Sequence, residues 1–393
     1  MNIKSLLLGS AAALVAVSGA RAADAIVAAE PEPVEYVRVC DAFGTGFFYI
    51  PGTETCLRIH GYLRYDIGGG DLFERTSNTG EETYFKRARF AFRTSTASET
   101  EMGTLRTYTE VRFNYDTNAN YNTAVAGAAD GYATLSSSTL NFAWIQLGGL
   151  RVGKDESRFI TFTGYAGGLM NDDYLFAAGH YDTNLISYTY DSGPFSATLA
   201  LEQGDDSYGA VGTKYNAANI NGASTTDGSG NWGIDDYMPH VVAGIGYTAG
   251  MVQLRGVFAW DSRDDFGGTE RGGWAGKIRA DVTLNDRASV FAMLLYGENS
   301  SGYTTWSDGL ATDETFAVIA GGSYQLTDKA AFNIQGNWRE SNTAANSDAW
   351  SLGANVAYEL VPGLTVTPEV LYVDKGTADD GKFGGYFRVQ RSF

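Results

Sequence analysis

The residues CLRIHGYLRYD at positions 56–66 alternate in character at every step. Arg58, His60, Tyr62, Arg64 and Asp66 fall on one side, and Leu57, Ile59, Gly61, Leu63 and Tyr65 on the other. Successive side chains of an extended chain point to opposite faces, so a period of two with one polar and one apolar side predicts a β-strand. The next segments repeat the pattern. In FKRARFAFR (85–93), Arg87, Arg89 and Arg93 alternate with Ala88, Phe90 and Phe92. In LRTYTEVRFNY (105–115), Arg106, Tyr108, Glu110, Arg112 and Asn114 alternate with Leu105, Thr107, Thr109, Val111 and Phe113.

The alternation recurs to the end of the chain. Lys277, Arg279 and Asp281 oppose Ile278, Ala280 and Val282, and Asn333, Gln335, Asn337 and Arg339 oppose Phe332, Ile334, Gly336 and Trp338. Two runs, NFAWIQL (141–147) and SVFAMLLYG (289–297), are apolar on both faces, which leaves their parity open. About sixteen strands fit between residues 56 and 393. Tight turns such as Gly148–Gly149, Asp191–Pro194, Thr248–Gly250 and Val361–Gly363 take turns with longer polar links, the longest running from Gly204 to Tyr237. Short links at one end and long loops at the other are the pattern of an outer-membrane barrel.

Composition agrees. The 393 residues include 49 Gly, 24 Tyr, 21 Phe and only 7 Pro, which suits many strands and tight turns. Lys plus Arg number 28 against 46 Asp plus Glu, a net charge of −18 that argues against a nucleic-acid partner. Mean hydropathy is slightly negative at −0.19. No apolar run approaches the roughly 20 residues of a membrane helix. A β-barrel remains open, since its alternating faces average out.

A soluble β-sandwich would also alternate, so the direction of the apolar face has to be argued. A closed core could not bury unpaired arginines on three successive strands, because each would cost several kcal/mol. Trp260, Trp274, Trp338 and Trp350 sit on apolar faces beside long links, as an interfacial aromatic girdle requires, though core tryptophans would read alike. The expected fold is therefore an all-β, transmembrane antiparallel β-barrel of about sixteen strands, wide enough to hold water.

One stretch breaks the pattern. FITFTGYAGGLMNDDYLFAAGHYD (159–182) stops alternating for more than twenty residues yet stays apolar. A long loop with its own apolar content is usually functional. Here it is expected to fold into the barrel and narrow it. Arg58, Arg64, Arg87, Arg89, Arg93, Arg106 and Arg112 would form a basic ladder on the pore wall, with Asp172 and Asp173 as the opposing negative edge. A solvated face balanced by Glu110 and Asp66 fits the same arginines, and an ordinary loop tip fits the two acids. A constriction with a field across it sorts solutes by size, charge and dipole. Catalysis finds no support: His60, His180 and His240 are scattered, no G-x-S-x-G nucleophile setting occurs, and neither a metal site nor a cofactor is indicated.

The ends carry processing signals. Lys4, the apolar run Ser5–Val17 and Ala20-Arg21-Ala22 make residues 1–22 a secretory signal cleaved after Ala22. Its removal leaves 26 basic residues against 46 acidic, or −20. Residues 23–55 form a lead-in that contains Cys40, and residues 56–393 form the barrel. In an oxidising compartment Cys40 and Cys56 are expected to pair, worth roughly 3 kcal/mol on the chain-entropy estimate, with two buried thiols as the alternative. The chain closes on FGGYFRVQRSF; a final strand ending in Phe393 resembles the signal read by the outer-membrane insertion machinery, although Arg391 stands where an apolar residue is more usual.

At this point the chain resembles the general porins of alphaproteobacteria, the Rhizobiales and Brucella type. The carrying residues are the leader MNIKSLLLGSAAALVAVSGARAADA, the segment EYVRVCDAFGTGFFYIPGTETCLRIHGYLRYD, the motif DDYMPHVV at 235–242 and the ending FRVQRSF. The resemblance implies a sixteen-stranded barrel in the lipid and lipopolysaccharide of the outer membrane. It also implies a homotrimer that passively admits small hydrophilic solutes and a third external loop that folds inward. Residues 159–182 follow the fifth strand and take that loop's place. A solute-selective channel and an adhesin or structural barrel are the alternatives.

Overall fold

The protein was analysed as a computed structural model that describes residues 38–76, 82–120, 132–204, 233–234, 236–265, 270–307, 312–341, 347–377 and 381–393. The leader, the first part of the lead-in (23–37) and nearly all of the 204–237 link lie outside them.

Eighteen strands form one antiparallel sheet. They are β1 (Phe48–Tyr49), β2 (Cys56–Gly69), β3 (Glu74–Thr76), β4 (Glu82–Thr100), β5 (Gly103–Asn120) and β6 (Tyr132–Leu147). Next come β7 (Leu150–Glu156), β8 (Asp182–Ser192), β9 (Phe195–Gly204), β10 (His240–Ala249), β11 (Val252–Asp261) and β12 (Gly273–Asn285). The last are β13 (Ala288–Glu298), β14 (Glu314–Thr327), β15 (Ala330–Arg339), β16 (Ala349–Val361), β17 (Leu364–Asp374) and β18 (Lys382–Ser392). β1 and β3 are short ribbons on β2 and β4. The other sixteen pair in sequence order, and β18 returns to pair with β2, so the sheet closes. No helix among the described residues is long and apolar enough to cross a membrane.

The sixteen expected strands are present, and several run further toward the long-link end than their alternation predicts. β1 is a small correction: the barrel sheet begins inside the lead-in, where Phe48 pairs with Leu57. Cys40 and Cys56 form a disulfide with 6.0 Å between their Cα atoms, which ties that lead-in to the first residue of β2.

The two faces separate as the alternation requires. Ile59, Leu63, Phe92, Phe113, Ile186, Ile245, Ile278 and Leu352 are exposed on the apolar face, while Asp66, Glu110, Lys277, Gln335 and Asn355 are buried on the polar face. Near the long-link end the apolar face carries a belt of rings. Trp260 pairs with Trp274 and Trp338 with Trp350 across neighbouring strands. Trp274 packs on Tyr296 at 5.6 Å, Phe316 on Trp338 at 6.1 Å and Trp350 on Tyr372 at 5.0 Å between ring centroids. Amphipathic rings in a band suit the boundary between hydrocarbon and headgroups.

The two ambiguous runs now have a parity. A bulge between β5 and β6 leaves Asn141 over, so Phe142, Trp144 and Gln146 join the polar face beside Glu110, Tyr108 and Arg106. On β13, Met293 and Leu295 are fully buried on that face, while Val290 and Leu294 are exposed on the other. Met293 and Leu295 meet protein rather than water, so they break the polar alternation.

Closure depends on one small residue. The N–H of Phe393 donates to the carbonyl of Gly61 at 3.1 Å, and the N–H of Gly61 donates back at 3.0 Å. A Cβ on Gly61 would overlap the carbonyl oxygen of Ala91 and press on the Phe393 ring. Gly61→Ala should therefore weaken the β18–β2 seam. In gel electrophoresis without boiling, the variant should lose the compact, heat-modifiable form at a lower temperature than the parent; an unchanged transition would contradict this role.

Candidate functional site

Cross-strand register arranges the polar face of β18, β2, β4 and β5 as a lattice. Asp66 on β2 faces Arg388 on one side and Arg87 on the other; Arg64 lies opposite Arg89, which lies opposite Asn114. Asp66 accepts from Arg388 at 2.8 Å and pairs with Arg64 at 3.0 Å. Glu110 accepts from Arg93 and from Arg112, each at 2.5 Å, and Asp116 takes a two-pronged bond from Arg87 at 2.6 and 2.7 Å. Arg89 bonds the neutral Asn114 at 2.6 Å. Five guanidinium groups thus meet three carboxylates, and the sixth meets an amide. The pairing holds each fork in a fixed direction, and three positive charges remain uncompensated within the wall.

The 157–181 segment lies against polar-face side chains from the far strands. It opens with a single helical turn, α1 (Arg158–Thr161), capped by Ser157, whose hydroxyl accepts from the Phe159 N–H at 3.1 Å. Glu202 on β9 secures this end, accepting from the Ser157 hydroxyl at 2.6 Å and the Arg158 N–H at 2.7 Å. At the other end Glu369 on β17 accepts the N–H groups of Met170 and Asn171 at 2.6 and 3.1 Å, together with the Asn171 and Asn355 amides. Gln335 and Asn337 donate to the carbonyl of Asp172 at 3.1 and 2.8 Å, and Asn355 donates to that of Gly168 at 2.9 Å. Backbone comes this close only without a side chain: a Cβ at Gly168 would sit 2.6 Å from the Asn333 amide.

A second loop completes an apolar core. Phe159 stacks on Trp306 at 6.3 Å and packs on Tyr303 at 5.4 Å. Around them lie Val242, Val257, Met293, Leu295 and Ile319, all buried. The polar edges are satisfied: Trp306 donates to the Thr315 carbonyl, Tyr303 to Glu202, and the Thr305 hydroxyl to the carbonyl of Ala177. Each fully buried large side chain contributes about 1.5–3 kcal/mol, so this core holds the two loops together. It occupies the polar face of β9–β14.

Space remains against the other strands. A cavity of about 1140 Å³ is bordered by Arg64, Arg87, Arg89, Arg112 and Arg388 on the basic wall. Lys154, Glu156, Asp182, Tyr181, Met170, Asn171 and Asp173 border it elsewhere. Of the seven expected arginines, four line this cavity; Arg58, Arg93 and Arg106 lie on the same face nearer the tight turns. Asp173 borders the cavity and Asp172 does not. Asp172 is half-buried, and desolvation, then the neighbouring Asp173 charge, with Glu369 adding to them, push its carboxyl up to about 8. Sequence reading missed Arg388, Lys154, Glu156 and Asp182, which border the cavity, and Glu202 and Glu369, which hold the segment. Arg388 was legible as an alternating residue of the last strand. The two glutamates sit on polar faces like many others, and nothing local marks the backbone they receive.

A family model described as "Porin subfamily" matches residues 24–390. Porin Omp2b of Brucella suis biovar 1 is 51% identical, with all of both chains covered, and Porin Omp2b of Brucella melitensis biotype 1 is 51% identical over the same extent. Among solved structures, the outer membrane channel DcaP of Acinetobacter baumannii matches with a TM-score of 0.60 at 14% identity, covering 88% of this chain and 99% of that one. The anion-selective porin from Comamonas acidovorans matches at 0.55 and 13% identity, covering 86% of this chain and all of that one. At these identities the structural matches speak to fold.

Two outcomes test the site. Glu369→Ala removes the acceptor of two backbone N–H groups, and an unsatisfied buried donor costs about 1–3 kcal/mol. Hydrogen–deuterium exchange over 167–172 should be slow in the parent and fast in the variant; equal rates would show that Glu369 does not hold the segment. For Asp172, a raised pKa means that the folded state holds the proton. Its contribution is full below the ordinary carboxylate range and is lost as pH rises through about 8. The thermal-stability advantage of Asp172→Asn over the parent should therefore grow from neutral pH to pH values above about 8.

Proposed function

The chain belongs to the porin subfamily and is an outer-membrane porin; from that premise we propose a water-filled channel for passive diffusion of small hydrophilic solutes and ions, with residues 159–182 folded inward as its constriction. The observation that carries this reading is the cavity between the arginines of β2, β4, β5 and β18 and the carboxylates of Glu156, Asp173 and Asp182. Charges of opposite sign on facing walls give a transverse field, which orders water and taxes solutes whose dipoles cannot align. Asp173 is the negative edge of the constriction, and Asp172 acts through the Asp172 carbonyl that Gln335 and Asn337 grip. Arg64, Arg87, Arg89, Arg112 and Arg388 form the positive edge. Arg58, Arg93 and Arg106 belong to the approach from the tight-turn side.

The assembly is a homotrimer in lipid and lipopolysaccharide. One feature of the apolar face supports self-association: Thr94 bonds Thr109, and Thr96 bonds Thr107 at 2.6 Å, among the apolar side chains of β4 and β5. Hydroxyls that satisfy one another in pairs suit a protein contact better than bare hydrocarbon. Phe393 serves as the insertion signal, and its backbone seats on Gly61 once the barrel has closed.

Planar-bilayer recording tests the channel. The parent should give large, stable conductance steps in potassium chloride, and folded protein that stays silent would refute the proposal. Asp173→Asn should shift the reversal potential toward anions, and Arg89→Ala toward cations. A variant pair that leaves both potentials unchanged would place these residues outside the ion path.

A further inference from the structure

Beyond the constriction, toward the tight turns, the polar face carries rings that lie outside the apolar core of Phe159, Tyr303 and Trp306. Cross-strand register sets Arg58, Ser95, Tyr108, Trp144 and Gly153 in one row across β2, β4, β5, β6 and β7. Tyr108 packs on Trp144 and on Phe142, each at 5.5 Å between centroids. Its neighbours in the row are small: Ser95 precedes it, and Gly153 lies beyond Trp144. These rings stand on the side of the sheet that faces the lumen, where no lipid needs them. Tyr108 and Trp144 are half-buried, so only part of each ring meets the lumen; apolar surface left to water is unfavourable at about 25 cal/mol per Å², and a solute ring that covers that part recovers the loss.

Charge beside the rings is of one sign. Arg106, two residues before Tyr108 on the same face of β5, is exposed. Among the described residues neither Arg106 nor Arg58 has a carboxylate at ion-pair distance, unlike Arg64, Arg87, Arg112 and Arg388 of the constriction. Arg151, by contrast, is committed: it covers the Trp144 ring at 3.9 Å and bonds Asp155 at 2.7 Å. An aromatic shelf next to two guanidinium groups that still lack an anion matches a flat ring bearing a carboxylate.

On the basis of the channel reading above, we propose that the tight-turn vestibule holds a binding subsite for aromatic monocarboxylates of the benzoate class. The ring lies against the parts of Tyr108 and Trp144 that Arg151 and the neighbouring rings leave open to the lumen, and the carboxylate meets Arg106, with Arg58 adding attraction. An aliphatic carboxylate engages only the charge and a neutral sugar only the rings, so both bind more weakly.

The test uses purified, folded protein in planar bilayers with potassium chloride, adding sodium benzoate or sodium acetate on the tight-turn side. Benzoate should reduce the mean current in a saturable way, with acetate weaker by about tenfold or more, equivalent to ~1.4 kcal/mol. Trp144→Ala and Arg106→Ala should each weaken the benzoate effect by about tenfold while the potassium chloride steps persist. Benzoate acting no better than acetate, or equally well on Trp144→Ala, overturns the subsite. Glucose block that depends on Trp144 and not on Arg106 also overturns it, in favour of a sugar shelf. Saturation-transfer NMR on benzoate with the protein in detergent gives a readout that needs no conduction. Loss of all potassium chloride steps with the NMR transfer intact would sink the channel and keep the subsite; steps without transfer would do the reverse.

Discussion

Hydrocarbon offers no partner to a peptide group, so every strand in the bilayer must find both of its neighbours inside the protein. That constraint makes the β18–β2 seam the point on which the structure depends. Fifteen pairings between consecutive long strands follow from chain order, and only the last brings residues more than three hundred positions apart into register. Closure joins Arg388 to Asp66, and through Asp66 to Arg64. The basic wall is thus assembled by the same step that removes the sheet's two edges. Before closure, Arg388 has no carboxylate to hold it, and the wall lacks one of its members.

Within the closed sheet the polar face is divided. Over β9–β14 it is covered by protein, with Phe159, Tyr303 and Trp306 at the centre; over β18 and β2–β8 it borders open space. Two buried carboxylates mark the division. Isolated, each would cost several kcal/mol, and each is offset by several donors: Glu202 by Ser157, the Arg158 N–H and Tyr303, Glu369 by two backbone N–H groups and two amides. The segment between them is therefore fixed at both ends. An unsecured loop of this length would sample many conformations, and the two holds prevent that.

Much of this was legible from one residue to the next. Alternation at 56–66 showed both the strand and its two faces, and the same arithmetic located all sixteen long strands. The apolar content of 159–182 marked it as a segment that belongs against other protein. Reading failed where a face met protein instead of lipid or water. Met293 and Leu295 look like lipid-facing residues and are core, and the bulge at Asn141 reverses the parity of Phe142 and Trp144 without any local sign. It failed also where a partner lies far along the chain: no pattern near Glu369 reveals that it receives Met170 and Asn171. The two aspartates read alike in the sequence, and nothing local separates Asp173, which borders the cavity, from Asp172, whose carbonyl the β15 amides bond.

Chemical accessibility tests the divided interior most directly. The native cysteines are joined in a disulfide and no described cysteine is free, so an introduced thiol reports alone. With single cysteines at Arg89 and at Met293, a charged, water-soluble thiol reagent should label position 89 rapidly and reduce the channel current in proportion. Position 293 should stay unlabelled and the current unchanged. Labelling at 293 with current block, while 89 stays inert, would contradict the account.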